Sequence, residues 1–203
     1  MMYLSQLRLN PRHRQVQAEL RNPYELHRTL AKAFGQGVAY TAARPLFRVD
    51  VLPSGNLPVL LLQSLREPCW QHLTVPATYL LEPPVVKPLD PVFQTGQRLR
   101  FRLQANPTVK REGKRHLLRT EEEQIAWLRR KGDDHGFALI AVRLREAAAC
   151  TARTTEGRAA HLEGVIFDGV LRVGDPAAFR AALETGIGAG KGFGFGLLSL
   201  ARG

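Results

Sequence analysis

The order of predicted strands and helices repeats along this 203-residue chain and predicts an α+β protein with two tandem domains. Each half is predicted to run strand, helix, strand, strand, helix, strand. Hydrophobic residues make up 44% of the sequence, which is enough for a core in two domains of roughly 100 residues. A β-α-β-β-α-β unit is the ferredoxin-like, or RRM-like, arrangement. The predicted fold is therefore two tandem ferredoxin-like domains, over residues 1–90 and 96–203.

The first half is predicted to contain strands at residues 3–9, 47–52 and 59–63, helices at 23–34 and near 69–73, and an extended segment within 80–92. Pro53-Ser54-Gly55-Asn56 separates two apolar runs and is typical of a hairpin turn. The first strand ends at Asn10-Pro11, where proline cannot continue a ladder of hydrogen bonds.

The second half is predicted to contain strands at residues 98–103, 137–144, 162–173 and 197–200, and helices that begin at Thr120 and at Pro176. The strand at 98–103 alternates strictly, with arginines on one face and apolar residues on the other. Thr120 and Glu123 have the spacing of a capping box, which predicts the start of the first helix. Gly169 is expected to bend the strand that contains it.

The helix that begins at Pro23 combines an apolar face with a polar, reactive one. Asn22 can act as its N-cap, and Glu25 has the spacing of a capping box. At 3.6 residues per turn, the following residues gather on the buried side: Leu26, Leu30, Ala33 and Phe34. Tyr24, Arg28 and Lys32 fall on the opposite side, with His27 at its edge. Such a face can bind a phosphodiester and transfer protons beside it, although solvated surface is the commoner use.

The net charge of +11 and the pI near 10.5 indicate a polyanionic partner, because bound phosphates release counterions. Charge alone does not separate RNA from DNA or from anionic lipid. One basic cluster is a predicted loop that carries Lys110, Arg111, Lys114 and Arg115. The alternative for this cluster is a solvated loop.

The composition also excludes several classes of protein. Two cysteines without metal-binding spacing give no zinc site, and no apolar run reaches the ~20 residues of a membrane span. The amino terminus lacks a signal-peptide pattern, so a cytoplasmic location is expected. No clustered set of carboxylates accompanies the reactive helix, so we expect neither a metal nor another cofactor.

A glycine-rich segment at residues 186–196 is the second candidate for phosphate binding. Its glycines let backbone amides approach a phosphate, and Lys191 adds a positive charge. The candidate residues are Gly188, Gly190 and Lys191. The segment is not a Walker A loop, since Gly192 follows Lys191 where that loop requires Ser or Thr. A flexible turn that leads into an edge strand is the alternative.

Four separated motifs resemble the CasE family, the CRISPR repeat-cleaving endoribonuclease of the type I-E Cascade complex. They are Tyr24-x-x-His27, Arg100-Phe101-Arg102-Leu103-Gln104-Ala105-Asn106-Pro107, Glu123-Gln124-Ile125-Ala126-Trp127-Leu128, and the segment from Gly186-Ile187-Gly188 to Gly196-Leu197-Leu198-Ser199-Leu200. They occur in the family's order and extend over most of the chain.

This resemblance implies two ferredoxin-like domains that bind the stem-loop of the CRISPR repeat transcript. The family cuts it without a metal at the 3′ base of the stem, by attack of the adjacent 2′-hydroxyl, and leaves a 2′,3′-cyclic phosphate and a 5′-hydroxyl. The implied roles are His27 as general acid or base, Tyr24 as its neighbour in proton transfer, and Lys32 as a cation for the transition state. Arg28 could share the role of Lys32.

The family also inserts a hairpin of its second domain into the major groove of the RNA. Here that hairpin is expected between about residues 143 and 158, with Arg153 and Arg158 as its contacts. The implied partners are the repeat stem-loop and other Cascade subunits, and the free protein is expected to be monomeric and not membrane-bound. Two alternatives stay open: a non-catalytic RNA-hairpin-binding subunit of a ribonucleoprotein complex, and a basic structural protein of the ribosomal kind.

Overall fold

The computed structural model describes residues 1–35, 38–52, 57–147, 150–153 and 159–202. The chain divides into two compact units. The first comprises Met1–Asp90, Cys150–His161 and Gly192–Gly194. The second comprises Pro91–Ala149, Leu162–Lys191 and Phe195–Gly203. Each unit is built around one four-stranded antiparallel sheet.

The sheet of the first unit has the order β2-β3-β1-β4. Its elements are β1 (Met2–Arg8), α1 (Arg14–Arg21), α2 (Pro23–Ala31), α3 (Val38–Ala43), β2 (Leu46–Leu52), β3 (Leu57–Ser64) and β4 (Val85–Leu89). Short 3-10 helices follow at Lys32–Phe34 and Trp70–His72. The first strand lies in the interior of the sheet and pairs with β3 and β4.

The sheet of the second unit has the order β12-β5-β11-β8. The elements from residue 98 onward are β5 (Arg98–Ala105), β6 (Thr108–Arg111), β7 (Lys114–Leu117), α4 (Glu121–Asp134), β8 (Phe137–Glu146), β9 (Cys150–Arg153), β10 (Ala159–Leu162), β11 (Val165–Val173), α5 (Pro176–Thr185) and β12 (Leu198–Arg202). β6 pairs with β7 and β9 pairs with β10, each as a separate two-stranded sheet.

The tandem ferredoxin-like fold is confirmed, because the strand order is equivalent in the two sheets. In each, the first strand of the unit lies between the third and the fourth. The capping box of α4 is confirmed: Thr120 Oγ1 accepts from the Glu123 amide at 3.2 Å, and Glu123 accepts from the Thr120 amide at 3.3 Å. The β8–β11 register shifts between Val170 and Leu171, beside the predicted bend at Gly169.

Four local predictions were wrong or incomplete. The capping box at the start of α2 does not form, since Asn22 makes no side-chain cap bond and Glu25 pairs with Arg28. Helices α1 and α3 were not predicted. The basic loop is instead the β6–β7 hairpin, and the predicted helix near residues 69–73 is only a 3-10 turn. The predicted turn at residues 53–56 lies outside the described residues, although its flanking strands pair as expected.

Helix α2 is held by its apolar face, as its sequence predicts. Leu26 and Leu30 are 1% and 2% exposed and pack in a core with Leu60 and Leu62 of β3. The burial of four such side chains contributes on the order of 1.5–3 kcal/mol each. On the other side of the helix Arg28 is exposed, while His27 lies at the edge of this core, against Phe47. Among the described residues, no helix is long and apolar enough to span a membrane.

A buried carboxylate adds a polar anchor to the same helix. Glu19 of α1 is 5% exposed and accepts hydrogen bonds from Thr29 of α2 at 2.7 Å, from Gln15 at 2.8 Å, and from the Tyr79 phenol. Burial and this last bond raise the pKa of Tyr79, so its phenol stays protonated and donates. The network ties α1, α2 and the segment before β4 to one side chain.

Replacing Glu19 by Ala should lower the free energy of unfolding by about 2–6 kcal/mol, because the hydroxyls of Thr29 and Tyr79 would each lose a buried partner worth about 1–3 kcal/mol. Urea denaturation followed by circular dichroism measures the change. Glu82→Ala is the matched control, since Glu82 forms only a half-exposed ion pair with Arg8 and should change stability by about 1 kcal/mol or less. Equal effects of the two variants would refute the anchoring role.

Candidate active site

His27 lies at the centre of an aromatic pocket within the first unit. Its Nε2 atom is 2.5 Å from the Tyr40 hydroxyl, and the two rings meet edge to face at 5.7 Å. The Phe47 ring of β2 stacks against the imidazole at a centroid distance of 6.1 Å and an angle of 22°. A Cβ atom built on Gly192 would lie 3.7 Å from the imidazole. Helix α2, helix α3, strand β2 and the backbone at Gly192 thus enclose one ring.

This environment changes the proton affinities of both polar groups. Burial lowers the pKa of His27 below its ordinary value of 6.5, because a charged imidazolium is poorly solvated there. The imidazole is therefore neutral at pH 7 and can accept a proton. Burial also raises the pKa of Tyr40, and the neighbouring Tyr24 phenol raises it further. The Tyr40 hydroxyl consequently remains protonated.

Tyr24 extends the pocket one helical turn before His27. Its ring lies 6.2 Å from that of Phe193, with an angle of 37° between the ring planes. Phe193 belongs to the three residues Gly192–Gly194 that pack with the first unit. Tyr24 and His27, two of the three predicted catalytic residues, therefore lie in one pocket, as the i, i+3 spacing on α2 requires.

The two cations predicted beside His27 have different surroundings. Arg28 is exposed and forms an ion pair with Glu25 at 3.0 Å. Lys32 is exposed at the start of the 3-10 helix that continues α2, and none of the described carboxylates pairs with it. A ligand could therefore pair with Lys32 directly, whereas Arg28 must first exchange a partner.

The predicted basic cluster lies on the β6–β7 hairpin of the second unit. Lys110 is directly opposite Arg115, and Arg111 is directly opposite Lys114. All four side chains are exposed. Like charges that face each other across two strands repel. This hairpin therefore presents a concentrated positive charge that a polyanion would relieve.

The glycine-rich segment contributes differently from the prediction. Gly188 and Gly190 have φ angles of +86° and +83°, and a Cβ on either would press on Trp127 or Phe195. Their glycine identity thus has a packing explanation within the second unit. Lys191 is half-buried, and its charge contributes to the lowered pKa of His135, of which burial is the main cause. The residue that reaches His27 is Gly192.

The predicted groove contacts are only partly described. The ribbon formed by β9 and β10 begins at residue 150, later than the expected start near residue 143. Arg153 ends β9, and only its backbone is described; Arg158 lies outside the described residues. The basic positions of β8 instead include Arg145, which pairs with Asp168 at 2.8 Å.

Sequence reasoning missed Tyr40, Phe47, Gly192 and Phe193. Nothing in the sequence marks Tyr40, since it lies thirteen positions after its partner His27 on a helix that was not predicted. Gly192 and Phe193 belong to the segment already identified as unusual, but the glycines chosen there were Gly188 and Gly190. Among the described residues, no group of three or more His, Cys, Asp and Glu side chains is arranged for a metal ion.

The fold and this pocket define a class of ferredoxin-like protein with a histidine-centred candidate site and a strongly basic surface. The chain belongs to the CRISPR associated protein family, whose model matches residues 2–202.

Named relatives extend over nearly the whole chain. This chain is 38% identical to "CRISPR-associated endoribonuclease Cse3" of Thermus thermophilus, over 98% of its own length and 100% of that protein. It is 32% identical to "CRISPR system Cascade subunit CasE" of Escherichia coli, over 98% and 99% of the two chains. The solved structure of Thermus thermophilus Cse3 bound to an RNA representing a pre-cleavage complex superimposes with a TM-score of 0.86, at 38% identity and 98% coverage of each chain.

Proposed function

We propose that this protein is the metal-independent endoribonuclease that binds the CRISPR repeat stem-loop and cleaves precursor CRISPR RNA at the 3′ base of the stem. The observation that carries the proposal is the neutral, half-buried His27 beside Tyr24, in a chain 38% identical to a named CRISPR endoribonuclease. The RNA-bound state of a relative with the same fold supports RNA as the substrate.

The proposed reaction uses the 2′-hydroxyl beside the scissile phosphate as nucleophile. His27 accepts the proton of this hydroxyl as its oxygen attacks phosphorus in line, and the bond to the 5′-oxygen breaks. The leaving 5′-oxygen takes up a proton from water, which gives a 2′,3′-cyclic phosphate and a 5′-hydroxyl, and the imidazolium of His27 returns its proton to solvent. Tyr24 positions the nucleophile or shares the proton transfer. Lys32, which has no described carboxylate partner, stabilises the charge that develops on the phosphate.

The proposed RNA surface comprises two basic parts and the glycine-rich segment. Four residues of the β6–β7 hairpin contact the phosphates of the stem: Lys110, Arg111, Lys114 and Arg115. Arg153 and Arg158 contact the major groove, where an A-form duplex is too narrow for a helix but admits a thin ribbon near an end. Arg28, Gly188, Gly190 and Lys191 complete the proposed set of RNA contacts.

The proposed setting is a cytoplasmic Cascade complex, in which this chain joins the other subunits together with the bound repeat. This setting is supported by the relative named as a Cascade subunit. We further propose that residues 1–90 form the catalytic domain and residues 96–203 the RNA-binding domain, and that the free protein is a monomer.

The purified protein should cleave its repeat hairpin in excess EDTA, because the proposed groups need no metal. A single 2′-deoxy substitution at the cleavage nucleotide should abolish cutting but leave binding unchanged, since it removes the nucleophile and keeps the phosphates. Gel assays of cleavage and filter binding test both expectations. Undiminished cutting of the deoxy substrate would exclude attack by the 2′-hydroxyl, and tight binding without any cleavage would instead indicate a non-catalytic RNA-binding subunit.

His27→Ala should lower the single-turnover rate by about 10²–10⁴-fold and leave RNA affinity unchanged, because it removes only proton transfer. The wild-type rate should rise with pH to a plateau through a midpoint below 6.5, since burial lowers the pKa of His27 and only its neutral form accepts a proton. Tyr24→Phe should cost less than His27→Ala. The control is His72→Ala, which removes an exposed histidine from the same unit. A His27→Ala enzyme as fast as the wild type would place the reaction elsewhere.

The two basic surfaces should respond differently to mutation. Lys110→Ala or Arg115→Ala should weaken binding to all hairpins alike and reduce the salt slope by about one unit, as expected of a phosphate contact. Arg153→Ala or Arg158→Ala should lose discrimination between stem sequences at a cost of about 1–3 kcal/mol. Titrations of hairpins with swapped stem base pairs at several salt concentrations measure both effects. Unchanged stem preference in the arginine variants would disprove the groove assignment.

A further inference from the structure

One nitrogen of His27 is already occupied in the free protein. A neutral imidazole has one nitrogen that donates and one that accepts a hydrogen bond. Nε2 is engaged by the Tyr40 hydroxyl, while Phe47 covers one face of the ring and Tyr40 meets it from the side. The nitrogen that remains for a substrate is therefore Nδ1.

We propose that Tyr40 is a positioning residue for RNA cleavage: its hydroxyl accepts the Nε2 proton of His27 and leaves the lone pair of Nδ1 directed to the 2′-hydroxyl. This inference rests on the proposed function. It adds a third residue to the Tyr24 and His27 pair and identifies which imidazole nitrogen acts.

Proton balance selects this arrangement over the opposite one. If Nε2–H donates to Tyr40, Nδ1 takes the proton of the 2′-hydroxyl and His27 becomes an imidazolium that retains its bond to the phenol. If the phenol instead donates to Nε2, Nδ1 carries a proton already and cannot act as a base. Base catalysis by a neutral His27 therefore requires the phenol oxygen to be the acceptor. The same bond orients the ring, as the partner of a catalytic histidine does in known triads.

The surroundings of the ring leave Tyr40 as its one described hydrogen-bonding neighbour. The ring of His27 meets those of Tyr40 and Phe47, and a Cβ on Gly192 would lie 3.7 Å from it. Three cations are adjacent in sequence to these residues: Arg28, Arg48 and Lys191. Arg28 pairs with Glu25 and Arg48 pairs with Asp50, while Lys191 is half-buried and precedes Gly192. Tyr40→Phe alters none of these charges. A change in the titration of His27 on mutation of Tyr40 can therefore be attributed to the phenol.

The test compares Tyr40→Phe, which removes one oxygen and keeps the ring, with Tyr3→Phe, which removes a phenol oxygen from strand β1. Each variant and the wild type is measured for RNA affinity, for the single-turnover rate as a function of pH, and for the titration of His27 by NMR in the free, histidine-labelled protein. The NMR titration needs no RNA and also shows that each variant is folded.

Tyr40→Phe should lower the rate about 10- to 100-fold at unchanged RNA affinity, as expected when a catalytic group loses its alignment. In this variant, the acidic limb of the pH–rate profile and the NMR midpoint of His27 should both move to lower pH. The reason is that the imidazolium loses the phenol oxygen that accepts its Nε2 proton. Tyr3→Phe should behave like the wild type.

Three outcomes would overturn the inference. A wild-type rate in Tyr40→Phe would remove the positioning role, and a midpoint shifted to higher pH would show that the phenol donates to Nε2. If the wild type does not cleave RNA, the proposed function fails and this inference fails with it. Cleavage by the wild type together with an unaffected Tyr40→Phe would overturn only the role of Tyr40.

Discussion

The candidate site depends on how helix α2 is fixed, and the buried Glu19 carboxylate fixes it. A carboxylate with little exposure must replace its hydration by hydrogen bonds, and Glu19 does so with Thr29, Gln15 and Tyr79. Thr29 lies two positions beyond His27 and is buried, as are Leu26 and Leu30 of the same helix. Because one side of the helix is committed to these partners, rotation of α2 would cost both the polar network and the apolar core. The fixed rotation of α2 places His27 at the edge of the core, against Phe47.

Inside the pocket, apolar burial and proton chemistry work together. Phe47 is 1% exposed and belongs to the same core cluster as Leu26 and Leu30, so the stacking partner of His27 is itself fixed by the core. The low polarity of this environment keeps the imidazole neutral, which a general base at pH 7 requires. The cations Arg28 of α2 and Lys32 of the following 3-10 helix remain exposed to water. The proposed general base is thus covered by apolar rings, whereas the two cations proposed to bind phosphate are exposed.

Periodic patterns predicted the fold because burial decides it. The alternating strand β5 and the buried positions of α2 could be identified from apolar spacing, and Thr120 from its capping partner Glu123. Helix α1 was not predicted, because only Val16 and Glu19 of its eight residues are buried and its sequence therefore resembles a polar loop. The β6–β7 hairpin was predicted as a loop because its strands are rich in charged residues. Its turn also has Glu112-Gly113, both with positive φ, in place of the usual Asn-Gly.

The candidate site was less predictable than the fold, since its partners meet only through tertiary structure. Tyr24 and His27 share one helix, so their proximity follows from spacing alone. Tyr40, Phe47 and Gly192 come from three other elements, and no local pattern relates them to His27. Gly194 has a φ of +84° and a Cβ there would lie 3.3 Å from the Phe47 ring, so glycine lets the backbone pass close to the stacking partner of His27. The glycines of this segment thus shape the pocket through close packing, and we propose that Lys32 and the basic hairpin supply the positive charge that a polyanion requires.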